Sequence, residues 1–242
     1  MSLKAVLFNF NGVIIKDESI HQQLIDEILL AENLRPNPQE YWKVCLGKSD
    51  RACLQEILAR RGRVVTEAEL TKLMEKKAQA YVNQIEALPE IPIYPEIPEF
   101  LATIQGLGLK IGLVSGAMKA EIELVCDRAQ IKQYFNVIVA GDEIHQSKPD
   151  PYCYLFAIER FNRQEPTLQL KPANCLAIED TPAGITAAKS AGMQVVGVAN
   201  TYPFHMLQRQ ANWTVDYLSE LELERVQQIY SGNATSVAPS EC

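Results

Sequence analysis

The second half of the chain alternates short apolar runs with stretches whose apolar residues recur at helical spacing. Together with a first run near the beginning of the chain, the runs that predict strands are 4–9, 110–115, 137–140, 175–179 and 194–198. The stretches that predict helices between them are 119–129, 151–161 and 182–191. Strands separated by helices of this length form a parallel sheet with crossover helices. The pattern therefore predicts an α/β, Rossmann-like core with the first strand at the centre of its sheet.

Residues 17–88 have a different pattern, with apolar residues at helical spacing and no convincing strand. Thr66 followed by Glu69 predicts a capping box at the start of the last of these helices. The prolines that follow cannot continue a helix, and they predict a stiff return linker; they are Pro89, Pro92, Pro95 and Pro98. We therefore predict a helical insertion at 17–88 within a core made of 1–16 and 89–230.

Charge and hydropathy limit the kinds of molecule that we expect this chain to bind. The net charge of −7 argues against a nucleic-acid partner, because phosphate backbones are bound through basic patches. No apolar run approaches the roughly 20 residues of a membrane span, so we expect no membrane partner. No charged and then apolar leader precedes residue 5, so we expect a cytoplasmic protein. We also expect a monomer, and a disordered tail at 231–242, which is rich in Ser, Thr, Ala and Pro.

The cysteines are scattered and have no histidine neighbours, which argues against a zinc site. They are Cys45, Cys53, Cys126, Cys153, Cys175 and Cys242. We expect buried, reduced thiols, as is usual in the cytosol.

Polar residues follow several of the predicted strands at the point where each strand ends. They are Asn9, Asn11, Ser115, Gly116, Lys148, Glu179 and Asp180. Ligands of parallel α/β sheets bind beyond the carboxyl ends of the strands, so these residues are expected to converge. Thr181 and Pro182 predict a helix start that presents the preceding carboxylates, whose oxygens suit Mg²⁺. The alternatives are a surface turn with capping acids and a solvated lysine.

In this order, the segments Asn9-Phe10-Asn11-Gly12, Ser115-Gly116, Lys148-Pro149 and Glu179-Asp180 resemble the haloacid dehalogenase superfamily of phosphatases and phosphomutases. The resemblance extends from residue 4 to about 221 and implies that 17–88 is the family's mobile cap domain. The first motif of that family is normally Asp-x-Asp-Gly, and both of its aspartates are asparagines in this chain.

The resemblance implies a role for each of these positions. Asn9 lies at the position of the nucleophile, Asn11 at that of the general acid/base, and Lys148 at that of the lysine that neutralises the phosphate. Ser115 and Gly116 belong to the phosphate-binding motif. The residues that would hold the family's Mg²⁺ are Asn9, Asn11 through its backbone, Glu179 and Asp180.

Three features of the insertion resemble the β-phosphoglucomutase-like branch of this family. His21 follows the first motif at the spacing seen there, the segment Gly47-Lys48-Ser49 resembles the specificity loop of the cap, and Lys77 resembles a cap lysine that reaches the substrate. The implied ligand is a small phosphorylated metabolite such as a sugar phosphate. An ordinary packing histidine and an exposed helix lysine are the alternatives for His21 and Lys77.

The two amides change the expected chemistry. A neutral amide oxygen is a poor nucleophile, and an amide cannot serve as a general base near neutral pH, so turnover should be absent or very slow. The formal charges of Glu179, Asp180 and Lys148 sum to −1, and Asn9 and Asn11 add none because their amides are neutral. The N–H groups of these two amides can also donate hydrogen bonds to an anion. We therefore expect phosphate to bind without Mg²⁺, and Mg²⁺ to bind more weakly than in the family.

Three explanations for the asparagines stay open at this point. The chain is a natural binding or regulatory relative, a trapping mutant of an active phosphatase, or a natural sequence with Asn at one position and a change at the other.

Overall fold

A six-stranded parallel sheet forms the core of the computed structural model, which describes residues 2–232. The strands are β1 (Ala5–Phe8), β2 (Lys110–Val114), β3 (Val137–Val139), β4 (Cys175–Glu179), β5 (Gln194–Val198) and β6 (Trp213–Val215). Their order is β3-β2-β1-β4-β5-β6, and every neighbouring pair is parallel. The predicted α/β core with a central first strand is thus confirmed.

The helices lie between the strands and in the segment that follows β1. They are α1 (Glu18–Ala31), α2 (Pro38–Val44), α3 (Asp50–Arg60), α4 (Glu67–Ala87), α5 (Ile97–Gly106), α6 (Lys119–Arg128), α7 (Tyr152–Gln164), α8 (Pro182–Ser190), α9 (Phe204–Leu207) and α10 (Leu223–Ser231). The expected disorder of 231–242 falls mostly outside the described residues, and Ser231 is the last residue of α10. None of the helices within residues 2–232 combines the length and apolar character that a membrane crossing requires.

The sheet is buried on both faces, as parallel sheets usually are. Because side chains alternate along a strand, Val6 and Phe8 of β1 point to one face while Ala5 and Leu7 point to the other. The first face packs against α5, α6 and α10, and the second against α7 and α8. This packing holds the carboxyl ends of the strands rigidly in place.

Helices α1 to α4 enclose a further apolar cluster of their own. Its buried members include Ile25, Leu29, Leu54, Leu58 and Leu70. The predicted capping box at the start of α4 is present: Thr66 and Glu69 exchange side-chain and backbone hydrogen bonds. Tyr81 and Ile85, in the last turns of α4, belong instead to the cluster on the sheet.

Two expectations for this part of the chain are wrong. Cys45 and Cys53 form a disulfide, because the end of α2 and the first turn of α3 bring their Cα atoms to 4.4 Å. Cys126, Cys153 and Cys175 are free and buried as expected, and Cys242 lies outside the described residues. Pro98 lies in the first turn of α5 rather than in the linker. A proline is tolerated there because the N–H it lacks has no partner within the helix.

Candidate functional site

The polar residues predicted at strand ends come together at one edge of the sheet. Asn9 follows β1, Ser115 follows β2 and Asp180 follows β4, so these side chains start from neighbouring strands. Lys148 reaches the same place from the loop before α7, and Glu179 is the last residue of β4. All five side chains are buried. The convergence expected from the sequence is observed.

Lys148 and Glu179 form a buried ion pair beneath Asn9. Lys148 Nζ donates to Glu179 Oε1 at 2.6 Å, and to the backbone oxygen of Val114 at 3.2 Å. The Tyr154 hydroxyl donates to the same carboxylate oxygen at 2.5 Å. A Cβ at Gly184 would lie 2.0 Å from Glu179 Oε2, so the first turn of α8 has room for this carboxylate only because residue 184 is a glycine. Glu179 is therefore the counter-ion of Lys148.

The contacts of Asn9 determine the orientation of its amide. An ammonium group can only donate, so the Asn9 oxygen faces Lys148 Nζ, 2.9 Å away. The amide nitrogen donates to the backbone oxygen of Asn11 and to Asp180 Oδ1, both at 2.8 Å. Burial, and then the charge of Glu179, raise the pKa of Asp180 to about 8. The expectation that the Asn9 amide donates to a bound anion is wrong, because its N–H groups already bind protein oxygens.

Asn11 is held by a carboxylate that the sequence did not point to. Its amide nitrogen lies 3.1 and 3.0 Å from the two carboxylate oxygens of Asp17 and 2.9 Å from His21 Nε2, so the N–H groups of this amide face protein atoms rather than the cavity. Its oxygen lies 3.5 Å from Ser115 Oγ. Asn11 therefore presents an acceptor, and not a donor, toward Ser115.

His21 and Lys77 meet in a buried cluster between α1 and α4. Lys77 Nζ lies 2.7 Å from His21 Nδ1 and 2.7 Å from Asp50 Oδ2, with Glu121 Oε1 at 3.3 Å. Burial alone would lower the pKa of Lys77, but the carboxylates of Asp50 and Glu121 outweigh it and raise that pKa. His21 Nε2 reaches Asp17 at 3.2 Å, which links this cluster to Asn11.

The loop between α2 and α3 closes over the phosphate-motif residues. The Ser49 backbone N–H donates to Ser147 Oγ at 2.8 Å, and a Cβ on Gly116 would lie 2.7 Å from Ser49 Cα. A Cβ on Gly47, whose φ is +77°, would lie 2.7 Å from Thr181 Oγ1. Glycine is therefore required on both sides of this contact, since any side chain would separate the loop from the sheet edge.

Comparison with known proteins decides the family. The model of the haloacid dehalogenase-like hydrolases matches residues 3–192. The chain belongs to this family. β-Phosphoglucomutase of Bacillus subtilis is 34% identical over 225 residues, which cover 92% of this chain and 93% of that protein. Protein CbbY of Rhodobacter capsulatus is 29% identical over 241 residues, covering 95% of this chain and 100% of that protein.

A solved structure shows the same architecture. The β-phosphoglucomutase of Clostridium difficile superposes with a TM-score of 0.79 at 28% identity, covering 95% of this chain and 98% of that one. The resemblance to the β-phosphoglucomutase branch of the haloacid dehalogenase-like hydrolases is thus confirmed.

The residues of this chain fit the magnesium ion expected for a haloacid dehalogenase-like hydrolase only in part. Asn9 Nδ2 lies within hydrogen-bond distance of both Asn11 O and Asp180 Oδ1, two of the oxygens that would hold a cation. Glu179 Oε1 is occupied by Lys148 and Tyr154, whereas Glu179 Oε2 and Asp180 Oδ2 are buried and have no hydrogen-bond partner among the described residues. Within residues 2–232, no three side chains of the His, Cys, Asp and Glu types gather as a metal-binding group. The N–H groups of Asn9 thus face two of these oxygens, which weakens the site for a cation.

A small cavity of about 50 Å³ lies above these residues. Its lining includes Asn9, Asn11, His21, Gly116 and Lys148, but Lys77 faces its own carboxylates instead. A larger cavity of about 960 Å³ lies between α5 and α10 and contains none of the residues predicted for the site. We place the function at the small cavity because convergent polar groups, rather than volume, distinguish a binding site.

Sequence reasoning missed Asp17, Glu18, Asp50 and Tyr154 at this site. Asp17 precedes α1 and looks like an ordinary N-cap, yet its side chain makes no capping hydrogen bond. Tyr154 lies on a helix whose apolar spacing explains an aromatic residue without any function. No local signal distinguished these residues, because their partners are distant in the sequence.

Proposed function

We propose that this chain binds a small phosphorylated sugar between a helical cap at 17–88 and the α/β core made of 1–16 and 89–230, and that it turns this ligand over very slowly or not at all. The observation that carries the proposal is a set of unused donors beside a buried cation. Asn11 and Gly116 line the cavity, and their backbone N–H groups make no hydrogen bond among the described residues. Lys148 supplies the positive charge.

The phosphate would accept hydrogen bonds from these backbone groups and from Lys148. Such groups bind anions well because they are already fixed in place. Ser115 Oγ accepts from the Ala117 N–H at 2.9 Å and donates its hydroxyl hydrogen to Asn11 Oδ1 over 3.5 Å, a long bond that a bound phosphate would replace. His21 lies on the cap side of the cavity, where it would contact the sugar. β-Phosphoglucomutase as a relative supports a sugar phosphate as the ligand.

Slow turnover follows from the state of Asn9. Its oxygen is neutral and accepts from Lys148, so it lacks the charge with which a carboxylate attacks phosphorus. Asn11 cannot exchange a proton with a leaving group. A family member that has lost both functions retains its binding groups, which favours a binding or regulatory role over catalysis. Magnesium dependence is a prediction for the form that carries aspartate at residue 9.

Calorimetry and a phosphatase screen test this proposal. We expect sugar monophosphates to bind at micromolar to millimolar concentration and phosphate release to be at background. The probes are inorganic phosphate, glucose 1-phosphate, glucose 6-phosphate and ribose 5-phosphate. Release of phosphate by the chain as it stands, at rates usual for enzymes, would refute the slow-turnover part. Failure of all four probes to bind would refute the site itself.

A further inference from the structure

Asp17 is fully buried, although it lies at the start of a helix where acids are normally exposed. Three donors converge on its carboxylate: the Asn11 amide, the Tyr81 hydroxyl at 2.5 Å and His21 Nε2 at 3.2 Å. Lys77 can only donate, so His21 Nδ1 accepts from it and Nε2 carries a hydrogen. Nε2 lies 2.9 Å from the Asn11 amide nitrogen, which is itself a donor, so the Nε2 hydrogen is directed to Asp17 Oδ2 at 3.2 Å. A buried carboxylate persists only where donors satisfy it in this way.

The carboxylate of Asp17 requires a donor at residue 11. An aspartate at residue 11 would place a second carboxylate about 3 Å from the first, in a buried place where like charges repel strongly. An asparagine satisfies Asp17 instead. The acidic group expected at residue 11 is thus present at residue 17, six positions further along the chain, and the amide at residue 11 is its complement.

This pairing also determines what Asn11 offers to a ligand. With its nitrogen held by Asp17, the amide oxygen is left on the cavity side, and its other polar neighbour is Ser115 Oγ at 3.5 Å. An acceptor in this place attracts a hydroxyl group and disfavours a second phosphate oxygen, which is also an acceptor.

We propose that Asp17 is a positioning residue that locks Asn11 as a hydrogen-bond acceptor and thereby selects a phosphate ester with a free hydroxyl group near its phosphate over inorganic phosphate or a bisphosphate. The selectivity rests on the proposed function, whereas the pairing of Asn11 with Asp17 does not. The pairing also makes Asn11 an integral part of this chain rather than an isolated change.

An exchange of the two side chains tests the pairing by stability alone. Asn11→Asp should lower the urea midpoint of unfolding, and Asn11→Asp combined with Asp17→Asn should restore most of it, because one carboxylate and one amide again face each other. Glu27→Gln, on the exposed part of the same helix, is the control for loss of a negative charge. If the double variant is no more stable than Asn11→Asp alone, the pairing is refuted.

Binding selectivity tests the positioning role. In Asp17→Asn, residue 11 is free to turn its N–H toward the ligand, so the affinity ratio of glucose 6-phosphate to inorganic phosphate should fall about tenfold, the value of one hydrogen bond. The exchanged double variant should recover the ratio, since residue 11 is again only an acceptor. An unchanged ratio in a folded Asp17→Asn protein would overturn the role of Asp17. If the unaltered chain binds neither probe, the proposed function and the selectivity both fail, and the stability exchange still decides the pairing.

The exchange of side chains between residues 11 and 17 also determines which variants should show phosphatase activity. Restoring aspartate at residues 9 and 11 alone should give an unstable, weakly active protein, whereas adding Asp17→Asn should give a more stable and more active one. Equal activity of the two forms at equal stability would contradict the pairing.

Discussion

At the scale of single residues, the site is organised by the pairing of buried polar groups, from which only Glu179 Oε2 and Asp180 Oδ2 are left out among the described site residues. Asn9 shows this most clearly, since its oxygen faces an ammonium group and its nitrogen faces two oxygens. An amide can satisfy both sides at once, whereas a carboxylate would need a cation between itself and Asp180. The asparagine therefore stabilises the arrangement while removing the charge that chemistry requires.

The pair formed by Lys148 and Glu179 gives a prediction about stability and binding together. Lys148→Met should lower the free energy of unfolding by about 3–5 kcal/mol, because Glu179 would remain buried without its counter-ion. Urea denaturation measures this loss, and calorimetry should show loss of phosphate binding. Adding Glu179→Gln to Lys148→Met should recover part of the stability but none of the binding. Recovery of binding in that double variant would show that Lys148 does not contact the phosphate.

At the scale of elements, the contact between the α2–α3 loop and the β2 end depends on Gly116. Gly116→Ala would place a Cβ 2.7 Å from Ser49 Cα, so the loop must move away from the sheet edge. We expect weaker binding of glucose 6-phosphate, by about tenfold or more, if one positioning hydrogen bond is lost. Gly106→Ala, at the end of α5, is the control, because a Cβ there meets nothing within 4 Å. Unchanged affinity in Gly116→Ala would show that the loop does not close the site.

The strands and helices that were predicted correctly are those whose bounds do not depend on contacts between distant parts of the sequence. The bounds of β4 and β5 match the apolar runs residue for residue, because these strands are buried on both faces. β6 was missed because it has three residues, two of them only half-buried. α5 was missed because Pro98, in its first turn, continues the series of prolines that is typical of a linker. The disulfide was missed because no spacing of eight residues marks one, and only the turn between α2 and α3 brings Cys45 and Cys53 together.

For the site, too, local sequence patterns predicted some features, and contacts between residues distant in the sequence decided the others. The strand-end rule predicted that Asn9, Ser115, Lys148 and Asp180 would meet, because that rule depends only on a parallel sheet. It could not predict which atoms of each amide would face which partners. The role of Asp17 depends on Tyr81, which is 64 positions away in the sequence, and such a contact has no local pattern.

At the scale of the whole molecule, this chain is acidic, and we expect the charges close to the cavity, rather than the net charge, to determine whether an anion binds. The net charge of −7 disfavours the approach of a phosphate, but salt at physiological strength screens charges beyond roughly 8 Å. Inside the cavity the relevant charges are few and buried, so the ammonium of Lys148 and the fixed N–H groups outweigh the distant surface. Affinity should therefore change little between low and physiological salt if these groups dominate.

Phosphate binding by this chain should not depend on a metal, because of the position of the Asn9 nitrogen. This nitrogen already binds two of the oxygens that would hold a cation, so phosphate affinity should be equal in a chelator and in millimolar Mg²⁺. In Asn9→Asp the backbone oxygen of Asn11 and Asp180 Oδ1 face a third oxygen, which belongs to a second carboxylate, so phosphate binding should become dependent on Mg²⁺. Calorimetry of both proteins under both conditions measures this, with Glu27→Gln as the control for a distant change in charge. If the chelator abolishes phosphate binding by the unaltered chain, a metal is required despite the amide, and Asn9 does not replace it.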